Sequence, residues 1–235
     1  MECSLINVSF TPKIAIIATG DELVGAEAQI KPWQIRRSNT TAITSALLSQ
    51  GYDASEYHLK DDLEVLREKL KQLLHECDML ILTGGVSMGK FDFVPQVFKE
   101  LGVEEVFHKV TQRPGKPLWF GKKGNKTIFG LPGNPVSAVI NFHRYIIPQL
   151  AISLGQDISK PVYASLNDDF VFRKNMTRFL PVVVTSSNDG KLLAKHQSTN
   201  GSGDFGALSG SDGFLELDAE ISEFKQGYTA PFYPW

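Results

Sequence analysis

Three stretches of this chain set glycines directly after apolar runs. They are Thr19-Gly20-Asp21-Glu22-Leu23, Thr83-Gly84-Gly85-Val86-Ser87-Met88-Gly89 and Gly130-Leu131-Pro132-Gly133-Asn134-Pro135-Val136-Ser137-Ala138. Glycine lets backbone N–H groups approach an anion, and a helix N-terminus behind the loop adds positive potential. One such loop needs no further reason than joining a strand to a helix. Three in one chain suggest a phosphate or oxyanion pocket. None continues into the Gly-Lys-Ser/Thr of a Walker A loop, and none is a GxGxxG fingerprint.

Charged residues accompany the loops. Asp21 and Glu22 follow the first, Asp92 ends the second, and Asp61-Asp62 precede a helical pattern. Carboxylates beside a phosphate repel it unless a cation intervenes, and magnesium does this with one or two carboxylates plus the phosphates. Asp61 reads equally as a helix N-cap, with Glu64 three residues on, and Asp92 also suits a cap. Arg113-Pro114-Gly115-Lys116-Pro117 supplies the opposite sign. Its prolines and glycine stiffen a loop that presents two cations, which suits a tetrahedral oxyanion, although a solvated turn would use the same residues. His58, His75, His108, His143 and His196 lack zinc-ligand spacing. Ser87 and Ser137 have no adjacent base and lie in no GxSxG elbow, which disfavours hydrolase chemistry.

The elements that must position these groups alternate over the first 155 residues. Lys13–Thr19, Tyr52–Leu59, Asp78–Thr83, Val103–Val110 and Lys126–Gly130 read as strands. Ser38–Gln50, with Ser38 or Asn39 as cap, Asp61–Glu76, Phe93–Leu101 and about Val136–Leu154 read as helices. The pattern predicts an α/β fold with a doubly wound, mainly parallel sheet, whose C-terminal strand edge gathers the glycine loops. Beyond residue 160 the helical period vanishes and short strands alternate with turns such as Asn188-Asp189-Gly190, while Asn200–Gly213 reads as a loop. A small all-β, barrel-like domain is expected there, giving domains 1–156 and 157–235.

Composition narrows the function classes. The chain has 235 residues, 42% hydrophobic and 21% charged, with a net charge of −2. That is globular, and it lacks the basic surplus of a nucleic-acid binder. Cys3 and Cys77 are far apart without a CxxC, which excludes a disulfide scaffold and fits a reducing compartment. The apolar runs are too short to span a membrane. Met1-Glu2-Cys3 opens without a basic region, so no signal peptide is expected and a soluble cytoplasmic protein is the expectation.

Taken in order, Thr19-Gly20-Asp21-Glu22-Leu23, Ser38-Asn39, Asp61-Asp62, Thr83 to Gly89 with Asp92, Arg113 to Pro117 and Gly130 to Ala138 resemble the molybdopterin molybdenumtransferase family, of the MoeA and gephyrin E-domain type. The motifs span about residues 12–150, and the β-rich tail resembles the family's C-terminal barrel more weakly. The resemblance implies the last step of molybdenum cofactor biosynthesis. Adenylylated molybdopterin and molybdate are the substrates, magnesium assists, AMP leaves, and the enzyme is a homodimer that meets other proteins of the same synthesis.

It also implies roles for matched positions. Gly84, Gly85 and Ser87 would contact the nucleotide or phosphate portion. Asp61 and Asp92 would position magnesium or the phosphates, with Glu22 nearby. Arg113 and Lys116 would attract molybdate, and Pro132, Gly133, Asn134 and Pro135 would shape the pocket between the domains. Gly20, Asp21, Asn39, Thr83, Gly89 and Ser137 lie in the same substrate-binding motifs, and Arg178 and Ser202 sit where the family places polar groups facing molybdate. Trp33 stands where the family usually has glycine, and the family's two further domains have no counterpart here. A molybdopterin adenylyltransferase-like enzyme, a molybdopterin sensor and a non-catalytic scaffold are the competing readings.

Overall fold

Every residue of the strand Ile14–Thr19 is buried, and its alternation shows how. Ala15 and Ile17 face one side of the sheet, and Ile14 and Ile16 face the other. A strand buried on both faces needs cover on both. On the first side lie the helices Leu63–Glu76, through Leu66, Leu70 and Leu73, and Val94–Glu100, through Val97 and Phe98. On the second lie Ser38–Ser49, through Ile43 and Leu47, and the helical stretch that begins at Pro135, through Ala138, Phe142 and Ile146. This computed structural model describes residues 5–85, 93–157, 161–198 and 204–235.

The sheet order is Ala54–Leu59, Ile14–Thr19, Met79–Thr83, Lys126–Leu131, Trp119–Lys123 and Glu104–His108. The first four strands are parallel, and the last two join antiparallel. The doubly wound, mainly parallel sheet is therefore as expected. From Ile14–Thr19 the chain passes first to one neighbour and then to the other. This is a topological switch point, and open α/β sheets bind ligands beyond it. Trp119–Lys123 carries no strand signal in the sequence, because Gly121 and two lysines interrupt it. Gly121 serves the Trp119 ring, which lies 2.3 Å from where a Cβ would stand.

Several local expectations are corrected. The N-cap of Leu63–Glu76 is Asp62, whose carboxylate accepts from the Glu64 and Val65 N–H groups at 3.0 Å; Asp61 stands one residue too early. Neither Ser38 nor Asn39 caps its helix, since the cap position is Arg37 and makes no side-chain cap. The expected single helix after Asn134 has three parts: Pro135–Asn141, a π-helical turn Phe142–Ile146, and Ile147–Ser153. Pro148 has no N–H to return to the preceding turn, and a widened turn accommodates that loss.

Five strands of the tail close a barrel. Leu192–His196 pairs with Val162–Leu166, which pairs with Thr229–Pro234, then Gly213–Leu217, then Thr177–Ser186, which returns to Leu192–His196. Closure removes the exposed edges of a small sheet. Within the stretch read as a loop, Phe205–Leu208 forms a single helical turn. The barrel is not independent of the first sheet's loops. The short strand Gln112–Arg113 adds in parallel to Thr177–Arg178, so Arg113 and Arg178 are register partners. Val136 and Ile140 pack against Phe179 and Phe214, and Arg144 pairs with Glu216 at 2.7 Å.

Candidate functional site

The parallel register brings Ala18 opposite Thr83 and Thr83 opposite Leu131, so the three glycine loops leave the sheet side by side. The Gly84 N–H donates to the Leu131 carbonyl at 3.1 Å. Gly84 has φ +92°, and a Cβ on it would lie 3.0 Å from the Thr19 carbonyl oxygen. On Gly85 a Cβ would meet Thr19 Oγ1 at 2.7 Å, and on Gly133 it would face the Gly84 Cα at 3.8 Å. Glycine is required at Gly84 and Gly85, where φ is positive and Thr19 leaves no room for a side chain, while at Gly133 a Cβ would make an ordinary contact.

Two recesses open at this edge. The smaller, of about 110 Å³, is a crevice lined by Thr19, Glu22, Arg37, Asn39, Thr83 and Gly84, among others. Asn39 lies in the first turn of its helix and donates through Nδ2 to the Gly133 carbonyl at 2.8 Å. The larger, of about 680 Å³, is a cleft between the sheet edge and the barrel, lined by Arg113, Lys116, Ser137, Phe172, Lys174 and Arg178, among others. The turn Pro132–Pro135 is their common wall. Pro132 and Asn134 face the cleft, and Gly133 and Pro135 face the crevice.

Buried polar atoms in folded proteins are nearly always hydrogen-bonded, so exceptions call for a reason. Among the described residues the buried side-chain atoms without a protein partner are Thr19 Oγ1, Arg37 Nε, Asn39 Oδ1, Asn134 Oδ1 and Arg178 Nε. All five belong to residues that line one of these two recesses.

Charge is unbalanced in the same place. Among the described residues, none of Arg113, Lys116, Lys174 and Arg178 takes part in an ion pair. Burial, and then the neighbouring Arg113, lower the Arg178 guanidinium from its ordinary value to about 10. Among the described residues its ring contact is Phe172, with 5.5 Å between the guanidinium carbon and the ring centre. A desolvated cation beside a second cation is a place for an anion.

The cationic loop is itself held from behind. Gln112 Nε2 donates to the Asn141 side-chain oxygen at 2.6 Å and to the carbonyls of Pro114 and Gly115 at 3.2 and 3.3 Å. Asn141 Nδ2 donates to the Gly115 carbonyl at 3.2 Å, and the Tyr145 hydroxyl donates to Gln112 Oε1.

The residues expected at the site divide accordingly. Glu22, Asn39, Thr83, Gly84, Gly133 and Pro135 line the crevice, and Arg113, Lys116, Pro132, Asn134, Ser137 and Arg178 line the cleft. Gly20 forms the turn beneath Glu22, whose carboxylate oxygen would lie 2.6 Å from a Cβ there. Gly85 stands behind Gly84, against Thr19 and Val94. Asp21 is exposed and Asp61 half-buried, and neither lines a recess. Ser87, Gly89, Asp92 and Ser202 lie outside the described residues.

Sequence reasoning missed Thr19 as a lining residue, and also Arg37, Lys174, Gln112, Asn141 and Tyr145. Arg37 stands next to the Ser38-Asn39 motif, which was a usable signal. Lys174 has none, because its approach to the cleft depends on the barrel. Among the described residues, no three His, Cys, Asp or Glu come together as a metal cluster. Glu22 is the carboxylate that lines the crevice, beside the unpartnered Thr19 hydroxyl. Both are oxygen donors, the type that magnesium takes beside phosphates.

Residues 15–152 match the family described as "Probable molybdopterin binding domain", and residues 163–235 match "MoeA C-terminal region (domain IV)". A molybdopterin molybdenumtransferase from Synechocystis sp. is 41% identical over 233 residues, which are 98% of this chain and 57% of that relative. One from Bacillus subtilis is 30% identical, over 93% of this chain and 51% of its own length. Among solved structures, the molybdopterin biosynthesis moea protein from Pyrococcus horikosii superposes with a TM-score of 0.78 at 30% identity, covering 95% of this chain and 54% of that one. The chain thus spans about half the length of the curated relatives it matches.

Proposed function

Because the chain belongs to the molybdopterin-binding domain family, carried here with a MoeA-type C-terminal barrel, we propose that it binds molybdopterin and molybdate in molybdenum cofactor biosynthesis. The observation that carries this reading is that, among the described residues, every unpartnered buried side-chain atom belongs to a residue lining the crevice or the cleft. In the crevice, Asn39 Oδ1 accepts and Arg37 Nε donates, so the pair suits a ligand edge that both gives and takes hydrogen bonds. The glycine backbones of the same crevice suit a phosphate. Arg113, Lys116 and Arg178 suit a tetrahedral oxyanion in the cleft. One ligand assembly lies across the Pro132–Pro135 turn, with its phosphate end at the crevice and molybdate in the cleft.

The reaction proposed is the molybdenumtransferase step on adenylylated molybdopterin, with release of AMP. The protein's part is positioning and charge neutralisation rather than covalent catalysis. Arg113, Lys116 and Arg178 hold the molybdate dianion where the dithiolene can reach it. Pro132 and Asn134 form the cleft side of the wall that separates the two recesses. Glu22 and the Thr19 hydroxyl would hold magnesium, with Asp61 and Asp92 as further acidic groups, and the ion supplies positive charge at the phosphates. The boundary between residues 156 and 157, a homodimer, exchange with other proteins of the synthesis and a cytoplasmic setting belong to the same reading. Among the described residues, no helix is long and apolar enough to cross a membrane.

Reconstitution tests it. Purified chain, magnesium, molybdate and adenylylated molybdopterin are mixed with an apo-molybdoenzyme, beside a Lys116→Ala variant. Activity should be restored, and Lys116→Ala should reduce it by about tenfold or more. Tight pterin binding without turnover would remove the transferase step and leave a binding protein. Neither turnover nor binding would overturn the reading.

A further inference from the structure

We infer that Gln112, Asn141 and Tyr145 are positioning residues that hold the loop Arg113–Lys116 in the shape that receives an oxyanion. The inference rests on the oxyanion reading of the cleft. It begins with a problem the cleft creates for itself. Arg113 and Arg178 are register partners on adjacent parallel strands, so their side chains leave on the same face of the sheet. No ion pair offsets either of them among the described residues. Their repulsion favours peeling the short strand Gln112–Arg113 away from the barrel and letting the loop relax. Something must oppose this while the cleft is empty of anion.

The opposing element is a polar group of three, two of them buried amides and the third the half-buried Tyr145. Gln112 is 2% exposed and Asn141 0%. Amides are kept in such places only when bonded, and each missing bond costs heavily. Here the Gln112 amide uses both ends. Its oxygen accepts from the Tyr145 hydroxyl, and its nitrogen reaches Asn141 and the carbonyls of Pro114 and Gly115. Asn141 adds a second donor to the Gly115 carbonyl. The donors thus converge on the two loop carbonyls that lie between Arg113 and Lys116.

The fit is reciprocal. Gly115 has φ +89°, and a Cβ on it would lie 2.6 Å from the Asn141 side-chain oxygen, so the asparagine amide lies flat on the glycine. The base of the loop is tied separately, by the Val110 N–H donating to the Lys116 carbonyl at 2.9 Å. Tyr145 in turn sits in the π-helical turn next to Arg144, whose guanidinium bonds Glu216 of the barrel and lies 5.3 Å from the Tyr145 ring centre. The group therefore stands where the helix, the loop and the barrel meet.

Calorimetric titration of the purified chain with sodium molybdate tests this, using wild type, Tyr145→Phe, Lys116→Ala and the double variant. Tyr145→Phe removes one hydroxyl and leaves the ring. If Tyr145 acts through the cationic loop, it should weaken molybdate binding about fivefold in the wild-type background. It should weaken binding less than about twofold when Lys116 is already alanine, because residues acting through one element are not additive. Leu70→Val, a core change on the opposite face of the sheet, should lower the unfolding temperature without moving the affinity. Equal losses in both backgrounds, or no loss from Tyr145→Phe while wild type binds, would overturn the inference alone. No molybdate binding by wild type would overturn the oxyanion reading beneath it.

Discussion

Arg178 shows how a single residue separates binding from stability. Burial and the adjacent Arg113 lower its guanidinium to about 10, so the fold disfavours its charged form. The folded value lies below the unfolded one, and the penalty persists at every pH below about 10. Arg178→Met should therefore stabilise the anion-free protein, by on the order of 1 kcal/mol in denaturant melts, while weakening molybdate binding. His143 gives the acid limb. Burial lowers it from 6.5 to about 4, and it packs edge-on against Phe142 and Trp235. The unfolded chain takes up this proton first as pH falls, so stability should drop between pH 6.5 and 4 by up to about 3 kcal/mol. His143→Phe should flatten that part of the pH–stability curve. The legibility of such residues differs for a physical reason. Lys116 and Arg113 were readable because prolines and glycine mark a rigid cationic loop. Gln112 and Asn141 were not, since a buried amide looks like any polar residue until its partners, 29 positions apart, are brought together.

Elements carry the next level of the account. The glycine loops were legible as a set because each follows a buried strand, and the parallel register then aligns them. The cost of changing them should track what a Cβ would meet. Gly84→Ala, at φ +92° with an unyielding Thr19 carbonyl at 3.0 Å, should lose about 2 kcal/mol. Gly190→Ala, at φ +82° in an open turn with nothing within 4 Å, should lose about 1 kcal/mol. Asp62→Ala should lose about 1 kcal/mol because Asp62 is the observed cap. The sequence allowed Asp61 that role, since adjacent aspartates differ only in which one faces the free N–H groups. Asn39 shows the converse. Its type suggested a cap, but the converging loops give its amide the Gly133 carbonyl instead. The π-helical turn had no pattern to announce it, because the apolar spacing of Val136–Leu154 suits an unbroken helix.

At the scale of the whole molecule, the doubly wound sheet and the barrel were both visible as changes in hydrophobic period. Their junction was not. The strand Gln112–Arg113 joins the barrel although it precedes the strand it pairs with by more than sixty residues of chain, and a two-residue strand has no period to read. That junction makes the cleft, and the Pro132–Pro135 turn stands between it and the crevice. The central claim is that one ligand assembly occupies both. Calorimetric titration of adenylylated molybdopterin with molybdate into wild type, Arg37→Met and Arg178→Met tests it most directly, because the two arginines lie in different recesses. The account predicts a single binding event that each substitution weakens by about tenfold. Loss in only one variant, or in neither, with both folded by circular dichroism, would contradict it.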